Sequence, residues 1–151
     1  MRRREFITLL GSAAAASPLS AHAQQSDRMR RIGILAGLSV NDTEGQTWVS
    51  ELTQRLQELG WTNGRNFVID TRFGTGDTAQ SAKIANELIE LQPDVIVAIG
   101  TPATTALRQQ TLSIPIVFVQ VPDPVSVGFV TNLARPEGNI TGFTNFEFSI
   151  G

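Results

Sequence analysis

Two patterns of apolar and polar positions alternate along this chain. Short, unbroken apolar runs close on glycine or proline, and between them lie longer stretches with an apolar residue every three or four positions. The runs are what strands buried on both faces of a parallel sheet require, and the longer stretches are what amphipathic helices require. The clearest run is Asp94 to Ile99, an acidic residue followed by five apolar ones. Gly100 then permits a sharp turn, Thr101 is placed to cap a helix, and Pro102 suits a first helical position, where its missing N–H costs nothing.

The other elements follow the same logic. Arg30 to Gly37 reads as a first strand, charged at entry and closed by glycine. Thr43 to Gln46 has capping-box spacing and opens a helix with Val49, Leu52, Leu56 and Leu59 on one face, stopped by Gly60. After the Asn63-Gly64 turn, Asn66 to Phe73 alternates, with Asp70 and Arg72 opposite Ile69, Thr71 and Phe73, which places it toward a sheet edge. Asp77 and Gln80 have capping-box spacing before a helix with Ile84, Leu88 and Leu91 on one stripe, ended by Pro93. Thr101 to Gln110 is a short helix with Ala103, Ala106 and Leu107 on its packing face. Ile116 to Val121 is another buried strand, and Pro122-Asp123-Pro124-Val125 a turn into a short helical or irregular segment reaching Leu133. Arg135 to Asn139 is a loop, and Ile140 to Phe146 a last strand. This order predicts one α/β lobe, a doubly wound parallel sheet of the Rossmann-like three-layer kind, built by right-handed crossovers.

Composition narrows the chemistry. The chain has 151 residues and a net charge of −2, but the first residues are basic through Arg2, Arg3 and Arg4. Without residues 1–23, 9 basic and 13 acidic residues remain, a net of −4. An acidic body without a basic patch argues against nucleic acid as a partner. With no cysteine anywhere, disulfides, thiolate metal sites, a cysteine nucleophile and a lipid-bearing cysteine are excluded. The one histidine, His22, lies in the first 23 residues, so histidine-based acid–base chemistry and Ser-His-Asp triads are unavailable downstream. Neither a metal nor a cofactor is expected.

Residues 1–23 have the three parts of an export signal: arginines, the apolar stretch Phe6 to Ala16, and Ala21-His22-Ala23 as a cleavage site ending at Ala23. Arg3-Arg4-Glu5-Phe6-Ile7 is similar to the twin-arginine motif, with Arg3, Arg4 and Phe6 in its key positions. The alternative is a general secretory signal with a chance arginine pair. Residues 24–29 then form a linker before the lobe at 30–151, and a soluble periplasmic protein that meets the membrane only during export is the expectation.

At the expected carboxyl ends of the strands stand Ser39 with Asn41, Gly100 to Thr104, and Gln120 with Asp123. That edge is where open α/β sheets bind ligands. Backbone N–H groups of Gly100 to Ala103 suit a carboxylate or phosphate, while Thr101 could equally cap its own helix. Asp123 could accept a ligand amine or cap the segment opening at Pro124. Asp70, Asp94 and Glu147 read as strand-edge charges, and Trp48 and Trp61 as packing residues beside the first helix. Gly74-Thr75-Gly76 lacks the third glycine of a dinucleotide fingerprint, since Ala79 stands in its place.

Several segments carry a family resemblance: Leu59-Gly60-Trp61 with Gly64-Arg65-Asn66, Gly100-Thr101-Pro102-Ala103, Ile114 to Phe118, Asp123-Pro124-Val125, and Leu133 to Gly142. Together they resemble the ABC transporter substrate-binding family with the type I periplasmic-binding-protein fold, over essentially all of residues 31–150. The Ala-Arg-Pro-x-Gly-Asn-x-Thr-Gly run is its most specific part. The resemblance implies a non-catalytic solute receptor of two lobes that closes on a small ligand, for some members an aromatic amino acid, and delivers it to an ABC permease. It places the ligand-facing turns at Thr101, Pro102 and Ala103, at Asp123, Pro124 and Val125, and at Thr144 with Asn145. Phe143, where an aliphatic residue is usual, and Pro122 depart from the family pattern.

In that family the strand at 140–146 leads to a hinge and a second lobe, so residues 30–151 correspond to an N-terminal lobe and a truncated product is expected. One wall of a cleft that normally buries roughly 70–90% of its ligand binds weakly. A micromolar complex, about −8 kcal/mol, that loses half its contacts falls to roughly millimolar. The rival reading is a small exported flavodoxin-like or Rossmann-like enzyme acting on a nucleotide or acyl group at the same strand ends. The missing phosphate-loop and dinucleotide motifs count against it.

Overall fold

The computed structural model describes residues 29–74 and 77–144. The expected signal with Arg3, Arg4, Phe6 and Ala23, the linker up to residue 28, and Asn145 and Glu147 lie outside the described residues.

Among the described residues the order is β1 (Arg30–Ala36), α1 (Thr43–Glu58), β2 (Phe67–Phe73), α2 (Thr78–Glu90), β3 (Val95–Ile99), α3 (Thr101–Gln110), β4 (Ile116–Val119) and β5 (Ile140–Gly142). All strand pairings are parallel, in the spatial order β2-β1-β3-β4-β5. The run that reads most clearly as a strand, β3, is therefore the middle one, and the alternating β2 is an edge. The chain moves from β1 to β2 in one direction and from β2 through β3, β4 and β5 in the other. Right-handed crossovers accordingly put α1 on one face of the sheet and α2 and α3 on the opposite face.

The two faces are unequal. Against α2 and α3, fourteen buried residues form one cluster, among them Leu35, Leu88, Ile96, Ala98, Leu107, Ile116 and Phe118. Against α1, Ile34, Ala36 and Ile99 are buried, while Trp48, Val49, Leu52, Val97 and Val119 pack on them partly buried. The close approach of α2 to the sheet depends on Gly33, where an added Cβ would stand 3.1 Å from Leu88 Cγ.

Several boundaries differ from the sequence reading, each for a local reason. Asp42, not Thr43, caps α1: its Oδ1 accepts the N–H groups of Glu44 and Gly45, both at 3.0 Å. Leu59, placed on the buried face by its spacing, is the C-cap of α1 and is exposed. Asp77 caps α2 as expected, accepting the Gln80 N–H at 2.8 Å. Thr101 does not cap α3: Gly100 holds the cap position at φ 87° with no capping side chain, which makes Thr101 the first helical residue and Pro102 the second. Strand β4 ends at Val119, two residues early, because Gln120 turns left-handed at φ 57°. Strand β5 ends at Gly142, with Phe143 and Thr144 beyond it, and the expected continuation over 145–146 lies outside the described residues.

Candidate ligand-binding site

Backbone hydrogen bonds tie successive strand ends into one edge. The Gly74 N–H donates to Ala36 O at 2.7 Å, Gly37 to Ile99 O at 2.8 Å, Gly100 to Val119 O at 2.9 Å, and Phe143 to Phe118 O at 3.0 Å. The candidate groups at Ser39 and Asn41, Thr101 to Ala103, Gln120, and Asp123 thus stand on loops leaving the same edge of the sheet.

The start of α3 is the centre of that edge. Thr104 closes its first turn, donating to Gly100 O through its N–H at 3.2 Å and through Oγ1 at 2.9 Å. With no capping side chain, the N–H groups of Thr101 and Ala103 stand at the positive end of the helix dipole; Pro102 has none to offer. Thr101 is half-buried, Pro102 exposed and Ala103 buried. Gly37 lies directly beside them: a Cβ there would stand 3.2 Å from the Ala103 nitrogen and 3.4 Å from Pro102 Cβ. In sequence Gly37 is merely the glycine closing a strand. Its packing against a helix start 66 residues away leaves little room for a side chain at this position.

At the β4 end, Asp123 takes the capping role. Its Oδ1 accepts the Ser126 N–H at 2.9 Å, and the Asp123 carbonyl accepts the Val127 N–H at 3.2 Å. Hydrogen bonds from the Ser126 hydroxyl and backbone hold the carboxyl below the ordinary carboxylate range, so it carries its charge at neutral pH. Pro124 is buried, and its carbonyl accepts the N–H groups of Phe129 at 2.9 Å and Val130 at 3.3 Å. Val125 is 45% exposed. Residues 125–133 form turns rather than a helix. Thr144 joins this edge through Oγ1, which donates to Pro122 O at 3.2 Å, and Phe143 beside it is 69% exposed. Asn145 lies outside the described residues.

Asp94 and Asp70 are structural, as expected. Asp94 accepts the Arg31 N–H at 2.8 Å and lies 3.6 Å from the Arg30 guanidinium, while Asp70 pairs with the Arg31 side chain at 2.6 Å. Trp61 packs edge-on against Phe67, with centroids 6.0 Å apart. A cavity of about 600 Å³ lies elsewhere, on the α1 face, lined by Trp48, Leu52, Val97, Ile99, Val119 and Gln120 among others. It shares Gln120 with the edge but none of residues 101–103 or 123–125. The helix start and the Asp123 turn are the candidate site, because they leave the carboxyl end of the sheet, where open α/β sheets bind ligands.

The second half of the run Ala134 to Gly142, the most specific part of the resemblance, has a different task. Gly138 takes a left-handed φ of 76°, and the Asn139 side-chain amide donates to Ile114 O at 2.7 Å. Ile140 is buried, and a Cβ on Gly142 would collide with the Phe118 carbonyl and ring. These residues dock β5 onto β4.

A doubly wound sheet of order β2-β1-β3-β4-β5 is common to flavodoxin-like folds and to the lobes of periplasmic binding proteins, and likeness in sequence decides between them. The chain belongs to the ABC transporter substrate binding protein family, whose sequence profile matches residues 32–149. It is 34% identical over 91 residues to a tyrosine-binding protein of Clostridioides difficile, a match covering 60% of this chain and 26% of that protein. A conserved domain protein from Vibrio cholerae superposes with a TM-score of 0.74 at 29% identity, over 80% of this chain and 40% of the other. An ABC domain from Streptococcus pneumonia in complex with L-Trp gives 0.71 at 26% identity, over 78% and 39%. A substrate binding protein with adhesive properties from Clostridium difficile, in its ligand-free open form, gives 0.72 at 28% identity, over 79% and 40%. The chain therefore spans about a quarter of the curated relative and two fifths of these solved chains.

Proposed function

We propose that residues 30–151 are the N-terminal lobe of an extracytoplasmic solute receptor of an ABC uptake system, and that this lobe supplies one wall of the site for an amino acid. The observation that carries the reading is the uncapped start of α3 standing on the same sheet edge as an ionised Asp123. An amino acid carries one negative and one positive group. The N–H groups of Thr101 and Ala103 suit its carboxylate, and the Asp123 carboxylate suits its ammonium group. Val125 and Thr144, with Asn145, complete the wall in this reading, and buried Pro124 holds the turn in shape. The tyrosine-binding and tryptophan-bound relatives support an aromatic side chain.

The work is binding rather than catalysis, and needs neither cofactor nor metal. A small-molecule ligand and a permease are the partners. Export on a twin-arginine-like signal with Arg3, Arg4 and Phe6, cleaved after Ala23, puts the receptor in the periplasm. A thermal-shift screen of the chain against L-tyrosine, L-tryptophan, other amino acids and nucleotides tests the reading. Stabilisation by an aromatic amino acid is expected, and stabilisation by nucleotides alone would replace the receptor with the enzyme reading.

A further inference from the structure

Strand β2 is one edge of the sheet, and its outer side is open over a defined length. In a strand the N–H and C=O of one residue leave on the same side, and those of the next residue on the other. The Arg30 N–H donates to Asn66 O at 3.1 Å and the Gly74 N–H to Ala36 O at 2.7 Å, so the even-numbered residues of β2 direct their backbone groups to β1. Phe67, Ile69, Thr71 and Phe73 therefore direct theirs outward. The turn at 62–66 occupies the first of these, the Gly64 N–H donating to Phe67 O at 2.8 Å. Among the described residues, no other backbone group meets Ile69, Thr71 or Phe73 on that side. Arg72 Nη1 donates to the Thr71 carbonyl at 3.0 Å, and no carboxylate among the described residues pairs with this guanidinium. An open edge is a template for another strand unless its charges repel that strand. Here the charges are opposite in sign: Asp70 and Arg72 share one face of β2, while Ile69 and Phe73 pack on the α1 side.

We propose that this edge is the contact between two copies of the chain, their β2 strands pairing antiparallel about a two-fold axis at Thr71. Thr71 then meets Thr71 of the second copy, and Ile69 meets its Phe73, in hydrogen-bonded pairs that use the outward backbone groups. In the intervening pairs, where side chains stand closest, Asp70 falls opposite Arg72 of the second copy, and the symmetry repeats the contact. An axis at Asp70 or at Arg72 sets like charges opposite each other, and an axis at Ile69 runs into Phe67, whose carbonyl already serves Gly64. Asp70 accepts Arg31 Nη1 at 2.6 Å and retains lone pairs for a second cation. The β1 strands of the two copies stand three strand spacings apart, roughly 14 Å, more than the about 8–10 Å at which helices pack, so the helices over β1 clear one another. Antiparallel pairing sends the two carboxyl edges to opposite ends of one continuous sheet. Both candidate ligand walls stay open, and the contact is independent of what they bind.

The absence of natural cysteine makes the test direct. In a hydrogen-bonded antiparallel pair the two Cα atoms stand about 5.5 Å apart, within disulfide reach, so Thr71→Cys reports the register. Leu112→Cys, at a position 86% exposed in the α3–β4 connection, reports random collision. Under mild oxidation Thr71→Cys is expected to form a covalent dimer about tenfold faster or more than Leu112→Cys, and equal rates overturn the proposal. Sedimentation velocity of the unsubstituted chain is expected to show a monomer–dimer equilibrium, and a monomer persisting at millimolar concentration overturns it. Arg72→Asp and Asp70→Arg each set like charges opposite one another, so each alone is expected to be monomeric. Mixed in equal amounts they restore opposite charges at both contacts and are expected to associate. A mixture that stays monomeric although both variants melt cooperatively overturns the proposal. If either variant does not melt cooperatively, Thr71→Pro replaces them, since the N–H it removes faces away from β1 and edge strands tolerate proline there. Loss of the dimer in that variant supports the contact, and an unchanged dimer overturns it.

Discussion

Asp123 caps its own turn through Ser126, its Oδ1 accepting the Ser126 N–H at 2.9 Å. The same carboxylate is the group proposed to meet a ligand's ammonium, and the two roles are compatible because a carboxylate has several lone-pair positions. Its lowered pKa has a defined consequence for stability. A carboxyl with a folded pKa below its unfolded value contributes stability that is present above the unfolded pKa and is lost as pH falls through the folded one.

Asp123→Asn should therefore flatten part of the acid limb. Melting temperature measured from pH 6 downward is expected to fall more steeply in the parent chain than in the variant once pH passes below the ordinary carboxylate range. Parallel curves would remove the Ser126 hydrogen bonds as the cause of the shift. In a two-lobed version, Asp123→Ala should weaken amino-acid binding more than it lowers melting temperature, and unchanged affinity in calorimetry would remove Asp123 from the site.

Asn139 tests the strand-docking reading of the family's most specific run. Asn139→Ala leaves Ile114 O without the amide that it accepts from, and a lost half-buried hydrogen bond of this kind costs about 1–2 kcal/mol. Urea unfolding should show a lower midpoint with an unchanged slope. Ligand-induced shifts should stay the same.

Gly142→Ala should be worse, because the new Cβ meets the Phe118 backbone carbonyl as well as the ring, and backbone cannot rotate away. Overpacking against fixed atoms costs about 2–3 kcal/mol. Gly138→Ala, strained in φ but with nothing near its Cβ, should cost about 1 kcal/mol. The order of the two unfolding midpoints checks the assignment.

The sheet was legible in the sequence because its strands are encoded locally: each apolar run needs no knowledge of its partner to be read as buried on both faces. The edge position of β2 was legible from Asp70 and Arg72 for the same reason. Caps were less so. Asp42 and Thr43 are both good cap residues, and the backbone at Asp42, not its chemistry, decides between them. At Thr101 the preceding glycine took the cap position, which turned an expected cap into an open helix start. Gln120 ends β4 through a left-handed φ that no residue type at that position announces. The role of Gly37 depends on a contact with Pro102 and Ala103 that exists only once β1 and β3 are adjacent. The cavity beside α1 depends on the directions of the crossovers together.

The placement of the site is tested most directly by titrating the isotopically labelled chain with L-tryptophan or L-tyrosine and following amide chemical shifts residue by residue. Weak, fast-exchange binding is expected, with the largest shifts at the amides of Thr101, Ala103, Asp123 and Val125 and at Gly37 beside them. Shifts confined to the α1 cavity around Trp48, Val97 and Val119, with residues 101–103 and 123–125 unmoved, would contradict a ligand wall at the strand ends.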